Sequence, residues 1–240
     1  MTTTPNPGGV EAALANMARD LLAQDTVPET LERIVAHAVD LVDGCEGASI
    51  LVTATTGART LAATDDNARA SDRVQGELGE GPCFDAARHG REVYRITDMT
   101  ATVDRWPSYA PKARDLGIGS ALGFLLFTEA ENLGALNLYS GKPGAFDDRS
   151  EQIGWLLASH AAVAFANART DAQLHEALAT RTDIGEALGI IMERYVLAEH
   201  DAFAVLTKAS QDHNIKVRDL ARTITETGEV PGARGDRRGR

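Results

Sequence analysis

Between Pro143 and Pro231 the chain contains no proline. Seven of its eight prolines and 15 of its 22 glycines lie at or before residue 144. Proline breaks a helix interior by removing an N–H and clashing with the preceding turn, and glycine costs helix stability. The distribution divides the 240 residues into a turn-rich first part of mixed structure and an all-helical second part.

In the first part, Val10, Leu14, Met17 and Leu21 have helical spacing. Thr26 to Glu29 reads as a capping box with Pro28 in the first turn, where its missing N–H does no harm. The helix that follows places Leu31, Ile34, Val35, Ala38 and Val42 on one face. Ala48–Thr53 and Thr60–Ala63 read as strands joined at Thr56-Gly57. Pro82–Arg88 reads as a short helix stopped by Gly90. Glu92–Ile96, Ser120–Phe127 and Gly134–Tyr139 are further strands, the last two turning at Glu131-Asn132. Strands joined by hairpins, with helices at both ends, make an α+β domain.

In the second part, Asp147 or Asp148 caps a helix that starts near Arg149 and runs to about Thr180. Leu156, Val163, Thr170, Ala177, Ile184 and Ile191 recur every seven residues. His160, Asn167, Leu174, Arg181, Leu188 and Tyr195 follow four residues behind them. This spacing fits a parallel dimeric coiled coil with Asn167 setting register, or one surface helix packed on its own sheet. Three helices then form a small bundle. The first is Thr182–Val196. Asp201 caps the second, whose apolar face is Ala202, Phe203, Val205, Leu206 and Ala209. The third, Lys216–Thr225, turns Val217, Leu220, Ala221 and Ile224 inward. Phe203 and Met192 are expected in the core. The tail after Gly228, with Arg234, Arg237, Arg238 and Arg240, is expected to be disordered.

The net charge of −11 argues against non-specific nucleic-acid binding. The charge is unevenly spread, however. Residues 1–165 carry a net −10 and residues 166–240 only −1, which leaves room for a local basic face in the C-terminal third. Two cysteines without a CxxC or Cys/His cluster argue against a disulfide framework or a structural zinc. The start of the chain has no secretory pattern and no stretch is long enough to span a bilayer, so a cytoplasmic location is expected. The GxG runs at Gly79–Gly81 and Gly117–Gly119 lack the spacing of a phosphate loop.

Two stretches resemble known families. GEGPCFDAARHGREVYRITDM (79–99) and LGALNLYSGKPGAFDDRS (133–150) resemble GAF domains, sensory modules related to PAS domains. The resemblance covers roughly residues 25–165. It implies an antiparallel sheet of five or six strands with helices behind and a small-molecule pocket in front. The Asn-Lys…Phe-x3-Asp-Glu pattern of cyclic-nucleotide GAF domains is missing, so no cofactor or ligand is named. RTDIGEALGIIMERYVLAEHDAFAVLTKASQDHNIKVRDLA (181–221) resembles the ANTAR domain, a family that binds RNA and antiterminates transcription. That resemblance covers about residues 172–228. One departure stands out. The family's first helix reads Ala-Lys-Gly with an exposed lysine, and here it is Ala187-Leu188-Gly189. Losing an ammonium that would meet phosphate weakens RNA binding.

The candidate RNA-binding residues are Arg181, Ala187, Leu188, Gly189, Lys208, His213, Asn214, Lys216, Arg218 and Arg222. Cations suit phosphates, and the amide and imidazole suit unstacked loop bases. The same residues also fit an ordinary solvated helical surface. Leu188 fits an extended dimer seam as well. Cys83, Phe84, Tyr94, Trp106 and Tyr109 are candidates to line the sensory pocket, or to fill the core. No catalytic or metal-ligating set is expected.

The chain therefore divides into an N-terminal helix (1–24), a GAF-like domain (25–165), a linking helix with an ANTAR-like three-helix module (166–228) and a basic tail (229–240). The expected function is a cytoplasmic, homodimeric antitermination regulator. It would sense a small molecule or a protein partner, bind leader-RNA hairpins and have no membrane partner. The alternatives are a dimeric sensor whose RNA binding is weakened by Leu188, a DNA-binding regulator, and a redox enzyme using Cys83.

Overall fold

The computed structural model describes residues 7–54, 57–89, 92–129 and 131–231. They fall into two compact units, Met1–Thr170 and Asp171–Arg240. Gly90, Thr56 and the four tail arginines, read above as a helix stop, part of a turn and a basic tail, lie outside the described residues.

The first unit is built on a five-stranded antiparallel sheet of order β2-β1-β5-β4-β3. Its strands are β1 (Gly47–Ala54), β2 (Gly57–Ala63), β3 (Val93–Ile96), β4 (Ser120–Phe127) and β5 (Asn132–Ser140). All pair with antiparallel neighbours, and side chains alternate between the two faces. Ala48, Ile50, Leu122, Phe124, Leu136 and Leu138 point to the back face. There they meet α1 (Pro7–Leu22), α2 (Val27–Leu41) and the start of α6 (Asp148–Tyr195) in one apolar core. Thr26 caps α2, accepting from the Glu29 N–H and donating to the Glu29 carboxylate. Asp147 caps α6 by accepting from the Ser150 N–H at 2.8 Å. Helix α1 shares this core through Leu14, Met17 and Leu21.

The front face is covered by three helices. These are α3 (Asp66–Leu78), α4 (Pro82–His89) and α5 (Tyr109–Asp115), the last preceded by a 3-10 turn at Met99–Thr102. Neither α3 nor α5 is apparent from hydrophobic spacing. The buried face of α3 is Ala68, Ser71, Asp72 and Gln75, which leaves no apolar stripe to read.

In the second unit, α6 continues to Tyr195 and is joined by α7 (Glu199–His213) and α8 (Val217–Thr227). This corrects the sequence reading, which starts a separate helix at Thr182. No glycine or proline signal breaks the ladder there, and Gly185 and Gly189 are absorbed within the helix. Ala187, Leu188, Ile191, Ala202, Leu206, Leu220, Ala221 and Ile224 form the core. Phe203, expected inside, is 47% exposed, and Met192 packs at the margin. Asp201 is not the cap of α7: Ala198 holds that position without a side-chain bond, and Asp201 lies in the first turn. Val230 is buried in the same core, so the chain is still packed beyond Gly228.

The heptad positions divide between two environments. Ile184, Leu188, Ile191 and Tyr195 contribute to the three-helix core of their own chain. The sequence reading that carries a dimer seam through them is therefore corrected. Leu156, Val163 and Leu174, by contrast, are exposed.

Candidate functional site

The front face of the sheet carries a buried polar cluster centred on Asp72 of α3. Its Oδ1 accepts from the Ser49 hydroxyl of β1 at 2.9 Å and from the Tyr139 hydroxyl and Asn137 amide of β5 at 3.1 and 3.3 Å. Its Oδ2 accepts from the Thr60 hydroxyl of β2 at 3.0 Å. Three strands are thus tied to one helix by a single carboxylate. Burial pushes its pKa up to about 6, against four hydrogen bonds that favour the charged form.

Beside it, the Cys83 thiol donates to Asn137 Oδ1 at 3.0 Å, and the Cys83 N–H donates to Gln75 Oε1 at 3.1 Å. Gly81, at φ 123°, lies so close to Gln75 that a Cβ would stand 2.6 Å from its Oε1. Two buried polar atoms on this face, Gln75 Nε2 and Tyr94 OH, have no partner among the described residues.

The five expected pocket residues all belong to this face, but they fill it. Cys83, Tyr94, Trp106 and Tyr109 are buried and Phe84 is half-buried. Trp106 and Tyr109 stack edge to face at 6.1 Å. The Trp106 indole N–H donates to Asp85, and the Arg105 guanidinium spans the Tyr94 and Trp106 rings while pairing with Asp85 at 2.7 Å. The Tyr109 hydroxyl bonds Ser71 at 2.9 Å, and Glu80 caps α5 by accepting from the Ser108 and Tyr109 N–H groups. These five line none of the principal cavities among the described residues. Among the described residues the five candidates frame no open pocket: their rings and hydrogen-bonded groups pack against one another, while Gln75 Nε2 and Tyr94 OH are left without a partner.

A nucleophilic role for Cys83 finds no support here. Burial and the nearby Asp72 carboxylate push its thiol up, and burial pushes Cys45 up to about 12. The thiolate is the reactive form, and a dry site disfavours it.

The candidate RNA residues of the second unit are dispersed. Ala187 is fully buried and Leu188 only 8% exposed, so neither presents a side chain to RNA. That corrects both assignments. Gly189 is exposed on the same helix with open space above it. His213, Asn214 and Lys216 share the α7–α8 turn, where Asn214 takes a left-handed φ of 53° and Ser210 bonds the Ile215 carbonyl. Lys208 and Arg181 are exposed. Arg218 and Arg222, one turn apart on α8, pair with Glu176 at 2.7 Å and Asp183 at 3.3 Å on α6. Composition gave no sign of this pairing, because the partners lie 42 and 39 residues away.

A family model described as the GAF domain matches residues 24–166, and one described as the ANTAR domain matches residues 172–224. No curated protein matches the chain. Among solved structures, the GAF domain from a phosphoenolpyruvate-protein phosphotransferase of Coxiella burnetii is 19% identical, with a TM-score of 0.54 over 70% of this chain and 99% of its own. The corresponding GAF domain from Acinetobacter is 15% identical, with a TM-score of 0.54 over 69% of this chain and 97% of its own. Free methionine-R-sulfoxide reductase from Neisseria meningitidis, solved with its substrate, is 16% identical, with a TM-score of 0.54 over 71% of this chain and 96% of its own. At these identities the likeness is one of fold.

Proposed function

Because the chain belongs to the GAF domain family and carries an ANTAR domain behind it, we propose that this signal-sensing antitermination regulator binds paired hairpins in leader RNA as a cytoplasmic homodimer. Both modules are regulatory rather than catalytic. The observation that carries the reading is α6, a single helix of 48 residues that belongs to the cores of both domains. A signal received by the GAF domain acts on the same helix that builds the ANTAR core. It shifts the RNA-competent population only by its differential affinity for the two states.

The exposed Leu156, Val163 and Leu174, with Asn167 among them, form the seam of a two-stranded contact between copies. Two linked ANTAR modules on one transcript gain effective concentration. On the RNA side, Lys208 and Lys216 supply exposed cations, and His213 and Asn214 supply groups for loop bases. No helix among the described residues is long and apolar enough to cross a membrane.

The test is RNA binding by the full chain, using leader RNA with two short hairpins and a DNA duplex control at two salt concentrations. Saturable, salt-sensitive binding to the RNA alone supports the reading. Preference for the duplex would replace it with DNA recognition. Failure to bind either nucleic acid would leave a dimeric sensor.

A further inference from the structure

The most voluminous of the principal cavities among the described residues lies on the opposite side of the sheet from the packed front face. It is a groove of about 840 Å³, within the size range of small-molecule sites. It opens between the first turn of α2, the paired strands β1 and β2, the start of β5 and α6 near Phe165. Leu31, Leu133 and Phe165 form a buried apolar floor, and Val27, Val52 and Leu61 are half-buried at its sides.

Two guanidinium groups stand on its walls. Arg169 of α6 lies 5.8 Å over the Phe165 ring and pairs with Glu131 at 2.9 Å. Arg59 of β2 is exposed, and its guanidinium has no ion-pair or hydrogen-bond partner among the described residues. Two cations and one carboxylate leave the groove with one uncompensated positive charge above an apolar floor.

We infer that this back-face groove binds an amphipathic anion, an apolar-tailed monocarboxylate, and that the anion acts on α6 through Arg169. The inference rests on the sensory role proposed above and assigns that role a site and a ligand class. Charge complementarity selects the head group, because a guanidinium fork matches a carboxylate in a bidentate fashion. The apolar floor selects the tail. The site is placed for signalling. The carboxylate competes with Glu131 for Arg169, releasing the tie between α6 and the start of β5 two residues before the second unit begins. The seam residues Val163 and Asn167 lie on other faces of the helix than Phe165 and Arg169, so self-association leaves the groove open.

The probe is decanoate, titrated calorimetrically into the full chain below its micellar range, with decan-1-ol and decylamine as controls. Decanoate is expected to bind saturably and decylamine not at all. Arg59→Gln is expected to weaken decanoate by about tenfold, the scale of a lost charge-assisted contact. Arg114→Gln, an exposed cation outside the groove, is expected to leave it unchanged. Glu131→Gln is expected to tighten binding, because it removes the competing carboxylate. Equal binding of decylamine, no saturable binding of decanoate, or insensitivity to Arg59→Gln overturns the inference. So does a change in oligomeric state in Arg59→Gln, which would assign the groove to a second copy. Hairpin RNA binding is measured on the same samples without decanoate. Intact RNA binding with no decanoate binding overturns the groove alone. Decanoate binding without RNA binding overturns the antitermination reading alone.

Discussion

Gly154 of α6 abuts the tip of the Phe124 ring on β4: a Cβ at this position would stand 2.5 Å from the ring's Cζ and 2.7 Å from its Cε2. The ring is buried in the back-face core and borders a cavity of about 260 Å³ that Trp155, Ala158 and Ala162 also line. The helix that leaves the sensory domain is therefore seated on the sheet at a point where any side chain larger than hydrogen has to displace the ring. Gly154→Ala gains helix propensity but overpacks the core. The net expected effect is a loss of about 1–2 kcal/mol in urea unfolding. Gly185→Ala, on the same helix with nothing within 4 Å, is expected to gain about 0.5–1 kcal/mol. Equal effects at the two glycines would show that the ring contact is not tight.

Val196 ends α6 in the left-handed region, at φ 52°, with 91% of its surface exposed. A β-branched residue pays steric strain there and here recovers no packing. Val196→Gly is expected to stabilise the C-terminal module by about 0.5–1 kcal/mol, after allowing for glycine's extra unfolded-state entropy. Thermal unfolding of the variant checks this, and a lower midpoint would contradict it.

The carboxyl of Asp72 titrates near 6 in the fold, because burial disfavours its charge, and near 4 when the chain unfolds. Between those values the folded state holds a proton that the unfolded state has released. Stability therefore falls as pH rises across this window and levels off above it, by about 3 kcal/mol in all. Burial pushes Cys83, Tyr109 and Tyr139 upward, so they stay neutral in this range. In Asp72→Asn the amide oxygen still accepts from Ser49, and its NH2 can donate to the Thr60 hydroxyl. The variant is expected to match the wild type at pH 4 and to exceed it progressively by pH 7. Urea melts at four pH values test this, and a constant difference would reject it.

What was legible in the sequence follows the physics of each element. Strands β4 and β5 and helix α2 show period-2 or period-3.6 apolar spacing, and both family resemblances rest on local runs. Helix α3 is illegible because its inward face is polar: Asp72 is bonded by strands β1, β2 and β5, Ser71 by Tyr109 of α5, and Gln75 Oε1 by the Cys83 N–H of α4. Whether Cys83, Phe84, Tyr94, Trp106 and Tyr109 line a pocket or fill the core is not legible in their residue types, because only packing distinguishes the two. Leu188 reads as a lost phosphate contact in the sequence and as core in the fold, because three helices converge on it.

On α6, Leu156, Val163 and Leu174 are exposed although apolar, whereas Ile184, Leu188 and Ile191 of the same repeat are sheltered in their own module. Self-association through the first group is expected to be sensitive to Leu174→Glu, with a dissociation constant raised by about tenfold or more. Unfolding of the single chain is expected to change little, since Leu174 buries little in it. Sedimentation equilibrium reads the first quantity and circular dichroism the second. A variant that stays as dimeric as the wild type would remove this seam from the interface.

Arg218 and Arg222 are paired to Glu176 and Asp183 on partly exposed surfaces, where an ion pair contributes about 0–1 kcal/mol. Such a pair is easily exchanged for a phosphate. Replacing the carboxylates by Glu176→Gln and Asp183→Asn removes two charges that repel RNA and releases two guanidinium groups to meet it. Hairpin affinity is expected to rise by about threefold to tenfold. The slope of log affinity against log salt is expected to steepen by about 1.5, as each of the two added phosphate contacts releases counterions. Arg218→Gln and Arg222→Gln are expected to act in the opposite sense. Stability is expected to move by less than about 1 kcal/mol in every case, because the pairs are solvated. If the carboxylate variants bind hairpin RNA no better than the wild type, these two arginines serve to hold α8 on α6, and the RNA face must be sought at the α7–α8 turn.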